Sequence, residues 1–256
     1  MVKFIKNIIQ KNNKGILFLI YFLVLAILFS GLFVSSCSAF GIKILGSGKT
    51  VAEDRQVSGI ESISIGSSMN LIIEQTGNES VRIEAAEDIM PIITTEMVGT
   101  ELQIELKSGN LINIRSIDCY VSVKDLNAIK VSSSASVKCD NLNTENLLVE
   151  MASSSKGSLI VDVTNLDLRI ASSANLSISG KADKQNTEVN SSGKLDAFNL
   201  ISKDCTIVVQ SSGNASINVT DNLDVTVKSS AKVSYKGNPK VNSDVASTGS
   251  LNKVSN

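Results

Sequence analysis

From about Ile129 onward, apolar residues fall on alternate positions, break at a pair of hydroxyl residues and a small residue, then alternate again. The strings are IKVSSSASVK, VEMASSSKGS, LRIASSANLSI, TEVNSSGKLDA, IVVQSSGNASI, VTVKSSAKVSY and SDVASTGSLNK. The second hydroxyl residue of each pair is Ser134, Ser154, Ser173, Ser192, Ser212, Ser230 or Thr248, at steps of 20, 19, 19, 20, 18 and 18 residues. An earlier copy, ISIGSSMNLII, surrounds Ser67 and Ser68. Period two is the signature of a strand, whose successive side chains point to opposite faces. Hardly any long stretch shows helical periodicity.

A single strand of this kind cannot enclose a core. Stacking successive repeats in parallel, about 4.8 Å apart, gives each one a neighbour above and below. The sequence therefore predicts an all-β fold, a parallel β-solenoid with coils of about 19 residues. It is expected to be right-handed, as parallel crossovers nearly always are. Three positions before the second hydroxyl residue stand Val131, Met151, Ile170, Val189, Val209, Val227 and Val245, which face inward. Three positions after it stand Val137, Leu176, Leu195, Ala215, Val233 and Leu251, with the coil at Ser154 out of step.

The same parity sends inward the first residue of each pair, Ser133, Ser153, Ser172, Ser191, Ser211, Ser229 and Ser247. This ladder of hydroxyls is expected to satisfy its own hydrogen bonds at a tight bend. The residue after each pair is always small, so the interior should narrow there. On the outward face, Lys130, Glu150, Arg169 and Glu188 occupy one register position in four consecutive coils with alternating sign. Such a column forms a surface charge ladder, each pair contributing about 0–1 kcal/mol. The less regular segment from Gly46 to Leu126 reads as the start of the same solenoid, partly a cap. The 66 residues from Ser68 to Ser134 would hold about three coils with longer loops.

The first 36 residues differ from all the rest. They carry Lys3, Lys6, Lys11 and Lys14, no acidic residue, and an uncharged run of 19 from Ile16 to Val34. A basic segment, an apolar run and small residues make a secretory signal, although this run also reaches the length of a spanning helix. Val34-Ser35-Ser36-Cys37 resembles the lipobox of bacterial lipoproteins, which implies lipidation of Cys37 and cleavage before it. The alternative is an uncleaved signal anchor. Both place the body outside the cytoplasm. The organisation read from the sequence is a membrane-directing segment 1–36, a lipid-tether linker 37–45 and a β-solenoid 46–256.

Formal net charge is −1 overall and −5 without the four leader lysines. Such a body offers no phosphate-neutralising cluster, and nucleic acid is not expected as a partner. The absence of histidine and of Cys-x-x-Cys excludes a zinc site or an imidazole-based triad, and no metal or cofactor is expected. Gly46-Ser47-Gly48-Lys49-Thr50 ends like a phosphate-binding loop, but Lys43 stands where the first glycine is required. Cys119 and Cys139 lie one coil apart and are read as buried thiols, with a disulfide as the alternative. Asp204 and Asp224 share a register position, which would stack them as an acidic pair if the protein cleaved polysaccharides.

The opening GSGKTVAEDRQVSGIESISIGSSMNLIIEQ, the strand-rich VRIEAAEDIMPIITTEMVGTELQIELK and the closing VSYKGNPKVNSDVASTGSLNKV resemble the head GIN domain family, whose name ties it to auto-transporter adhesins. The resemblance covers about residues 46 to 255 and includes the terminal Tyr235-Lys236-Gly237-Asn238-Pro239. Ser-Ser followed by Ala or Gly replaces the family's usual Ser-Gly-Ser-Gly. The resemblance implies an envelope-associated β-solenoid and carries over no functional residues. The expected function is a non-enzymatic envelope lipoprotein, an adhesin or interaction module held to the membrane by its lipid and meeting an envelope protein or glycan. A structural or regulatory protein acting through self-association or a membrane partner is the alternative, and a carbohydrate-active enzyme a more distant one.

Overall fold

The computed structural model describes residues 43–255 except 47, 108, 109 and 113–115. The membrane-directing segment, Cys37 and the linker as far as residue 42 lie outside the described residues. The first ten strands are short. They are β1 Lys43–Leu45, β2 Thr50–Arg55, β3 Ser62–Ile65, β4 Asn70–Gln75, β5 Ser80–Ala86, β6 Ile93–Val98, β7 Glu101–Leu106, β8 Asn110–Ile112, β9 Asp118–Val123 and β10 Ala128–Val131. Five long strands follow: β11 Ser136–Met151, β12 Lys156–Ile170, β13 Asn175–Val189, β14 Lys194–Val209 and β15 Asn214–Val227. The last full coil comprises β16 Lys232–Lys236 and β17 Lys240–Val245, and β18 Ser250–Lys253 starts the next. A 3-10 turn, Met90–Ile92, holds Pro91, and β1 pairs in parallel with β8.

Strands β10 through β18 pair in parallel with their counterparts in neighbouring coils, so the fold is a parallel β-solenoid. Its core is made of columns of equivalent side chains. One runs Val149, Leu168, Thr187, Ile207, Val225, and all five are buried. Another runs Val137, Gly157, Leu176, Leu195, Ala215, Val233, Leu251. The coil at Ser154 therefore stays in step. Gly157 takes the column position, and the Met151 sulfur lies 2.9 Å from where a Cβ would stand there. A flexible thioether fills the room that a leucine occupies elsewhere.

Within β12 the alternation changes parity once, and within β11 and β14 twice. In β12 Leu159, Val161 and Val163 face inward, the next two positions do not, and Leu166, Leu168 and Ile170 resume. Two successive outward residues turn the chain around the core without a loop. A second bend is marked at Gly180 and Gly237, with φ of 112° and 90°. A Cβ on either would lie 1.9 or 2.0 Å from the carbonyl oxygen of Val161 or Val219 on the preceding coil. Only glycine allows the backbone to come so close in that conformation.

The N-terminal third corrects the expected spacing. The Ser67–Ser68 corner stacks directly on Ser133–Ser134, with the Ser68 amide donating to the Ser133 carbonyl at 2.9 Å. Strand β3 pairs with β10, and β4 with β11. Three intervening coils are absent; the residues between fold into a cap. Strands β7 and β9 lie in parallel on β3 and β4, and β6, β5 and β2 then add antiparallel. Reversal of direction ends the repeat and covers its first edge. Glu79 pins the turn before β3 by accepting hydrogen bonds from the Gly59 and Ile60 amides at 3.0 and 2.9 Å.

Candidate functional site

The hydroxyl corners are the most regular feature of the surface. Both serines of every Ser-Ser pair adopt left-handed backbone, from Ser67 and Ser68 (φ 57° and 58°) to Ser229 and Ser230 (φ 54° and 62°). In the last pair Ser247 does so and the β-branched Thr248 does not. Each turn is closed by a hydrogen bond such as Ala135 N–H to Ser132 C=O, 3.0 Å. Coils are joined by bonds such as Ser134 N–H to Ser153 C=O and Ser154 N–H to Ser172 C=O, both 2.9 Å.

This geometry corrects the expected orientation of the first serines. Ser133, Ser153, Ser172, Ser191, Ser211, Ser229 and Ser247 are exposed, as are their following partners. Two consecutive left-handed residues turn both side chains outward, so the alternation does not run through the corner. The ladder at the bend is made by backbone amides, while the hydroxyls face solvent. The next residue is buried and small, from Ala135 to Ala231. Among these Ser155 buries a hydroxyl with no partner.

Lys130, Glu150, Arg169 and Glu188 are direct neighbours on consecutive coils. Their pairing is uneven. Arg169 bonds Glu150 at 2.6 Å, while Lys130 turns to Glu101 on the cap at 2.5 Å. Burial works against ionising Glu101, yet hydrogen bonds from Lys130, Gln103 and Ser62 prevail and hold its carboxyl below the ordinary value. Glu188 is half-buried, and burial raises its carboxyl despite the nearby Arg169 charge.

Asp204 and Asp224 do not stack. Asp204 pairs with Asn222, and Asp224 with Thr206 and Asn242, because extra residues in β14 after Ala197 and in β15 after Val219 shift the register between the two strands. Asn222 donates to Asp204 at 2.6 Å, and Asn186 to Asp167 at 3.0 Å, so these carboxylates belong to Asn–Asp ladders. Cys119 and Cys139 are likewise separated. Strand β4 lies between β9 and β11, so both thiols are buried and free. Burial pushes the Cys119 and Cys205 thiols up to about 12. Lys49 precedes the strand β2, not the helix a phosphate-binding loop requires.

Sequence reasoning missed two features. One is a buried polar group in which Ser202 donates to Gln185 at 2.6 Å and Gln185 to Thr187 at 2.9 Å. Its signal was available, since Gln185 interrupts the column Leu147, Leu166, Gln185, Cys205, Leu223. The other is an open groove of about 490 Å³ bordered by Asp162, Lys181, Asp183, Ile201 and Lys203, with Lys203 bonded to Asp183 at 2.6 Å. Its ion pair and its openness suit surface contact more than enclosure of a small substrate.

The stacked parallel coils, antiparallel cap and outward polar ladders define a β-solenoid with repetitive lateral surfaces. Residues 60–239 match the family described as "Putative auto-transporter adhesin, head GIN domain", and the chain belongs to that family. Its fold is similar to that of a putative adhesin from Bacteroides fragilis, with a TM-score of 0.77, 20% identity, and 83% of this chain and 99% of that one covered. A putative adhesin from Parabacteroides distasonis is similar at a TM-score of 0.68 and 19% identity, over 83% of this chain and all of that one, 100%. A second protein from that organism, described as a putative lipid binding protein, is similar at a TM-score of 0.66 and 21% identity, over 83% and 100%. No curated protein matches the chain.

Proposed function

We propose that this protein is a non-enzymatic adhesin of the bacterial cell envelope, tethered by lipid on Cys37 and meeting an envelope protein or glycan through its lateral surface. The observation that carries the reading is the stack itself. Equivalent exposed side chains recur on coil after coil, an arrangement suited to many weak, repeated contacts along an extended partner. Family membership supports the adhesive reading. The tether is tested by the mass of the mature N-terminus taken from membranes. A diacylglyceryl-modified Cys37, lost with membrane retention in Cys37→Ala, is expected; an intact N-terminal Met1 and an unaffected variant would replace the lipid with a spanning helix.

Self-association is the second reading, favoured by the last coil. All six residues of β17 are exposed, including Val241 and Val245, and β17 pairs only with β15. Among the described residues nothing covers the outer edge of β17 or β18, and an open edge with apolar side chains is a template for pairing. Concentration-dependent dimers that dissociate in Val241→Lys/Val245→Lys would sustain this reading, and a strict monomer would remove it.

A further inference from the structure

We infer that the hydroxyl corner and the column beside it form a binding ridge for a linear acidic polysaccharide carrying one anionic group per disaccharide. The inference rests on the adhesive reading above and names its ligand. One outward column passes unbroken through Asp118, Asn70, Ser136, Lys156, Asn175, Lys194, Asn214, Lys232 and Ser250. Lysine therefore recurs on every second coil, with asparagine on the coils between. The column lies two residues from the exposed hydroxyls of each corner.

The ridge is electrostatically distinct from the body. The eight corner segments from Gly66–Asn70 to Ala246–Ser250 contain four lysines and no acidic residue, in a body whose formal charge is negative. Lys156, Lys194 and Lys232 are exposed, and none forms an ion pair among the described residues. Asp118, at the capped end, is held by Asn70 and Ser116 at 2.8 and 2.7 Å. Asp196 lies two residues along β14 from Lys194.

Spacing selects the ligand. Two coils span about 9.6 Å, the length of a disaccharide in an extended chain, so each ammonium meets an anionic sugar. The asparagine on the intervening coil then faces the neutral sugar. The corner serines supply a continuous row of hydroxyl donors and acceptors of the sort that sugar hydroxyls bond. A single-stranded nucleic acid is typically held by aromatic platforms on which its bases stack, and the corner segments contain no aromatic residue.

The test uses the full chain in mild detergent with hyaluronan, which has one carboxylate per disaccharide, beside neutral chitin oligosaccharide and single-stranded DNA. Hyaluronan binding should exceed both. It should fall about tenfold in Lys156→Gln/Lys194→Gln/Lys232→Gln, three exposed charge contacts acting together. It should stay within about twofold in the control Lys107→Gln/Lys184→Gln/Lys240→Gln, which removes equal charge elsewhere. Thermal melting of both variants should be unchanged. Equal losses in the two variants, tighter retention of DNA, or no binding to hyaluronan would overturn the ridge. If adherence to cell surfaces then persists unaltered in the ridge variant, the adhesive reading survives its loss.

Discussion

Left-handed serines carry the corners at the scale of single residues. A non-glycine residue in that conformation costs about 1–2 kcal/mol, and glycine would relieve it while losing about 0.5–1 kcal/mol of chain entropy. Ser173→Gly should therefore leave the melting temperature unchanged or raise it, whereas Ser173→Val should lower it. At Gly180 the opposite holds, because a Cβ would meet the Val161 carbonyl at 1.9 Å. Gly180→Ala should destabilise by about 2 kcal/mol or more in chemical denaturation. The inward-serine expectation failed for a local reason. Positions three before and one after the second serine are both inward, so parity resumes beyond the turn and conceals the break. Burial of Ala135, Ala174 and Ala231 was legible from their small size, but the rotation of the two residues before them was not.

Elements are held together by columns, and the sequence carried these more fully. Alternating apolar positions from Ile129 onward located the long strands, and the Lys130, Glu150, Arg169, Glu188 column follows their register. Which neighbours bond was not legible, since Glu101 arrives from the cap, out of repeat. A double-mutant cycle on Glu150 and Arg169 should give a coupling of about 0–1 kcal/mol that shrinks with salt. The two other glutamates predict opposite pH behaviour. The folded-state pKa of Glu101 is depressed, so its contribution is present above its ordinary value of 4.5 and lost as pH falls through the folded value. That of Glu188 is raised, so ionised Glu188 weakens the fold as pH rises through it. Hydrogen exchange should show the cap around β7 opening first on acidification, and Glu188→Gln should not lower stability at neutral pH. Asp204 and Asp224 mark the limit of counting, because irregular pairing between β14 and β15 moves the register where the sequence shows only a length of 20 in place of 18 or 19.

For the whole molecule, the solenoid was legible from its period and a partial cap was expected before Leu126, while the cap's pairing was not legible, because antiparallel strands β2, β5 and β6 follow no repeat. Among the described residues the first edge is covered and the outer edge of the last coil is open, which leaves the lateral surfaces and that edge accessible. The lateral surfaces present repeated side chains on stacked backbone, the feature on which the proposed adhesive function rests. The most direct measurement is adherence of beads bearing the full chain to cell surfaces and immobilised envelope glycans, with the glycan's chain length followed in the same experiment. The account predicts saturable adherence that free protein displaces and glycan that stays intact. Shortened glycan, or no adherence to any of these surfaces, would contradict it.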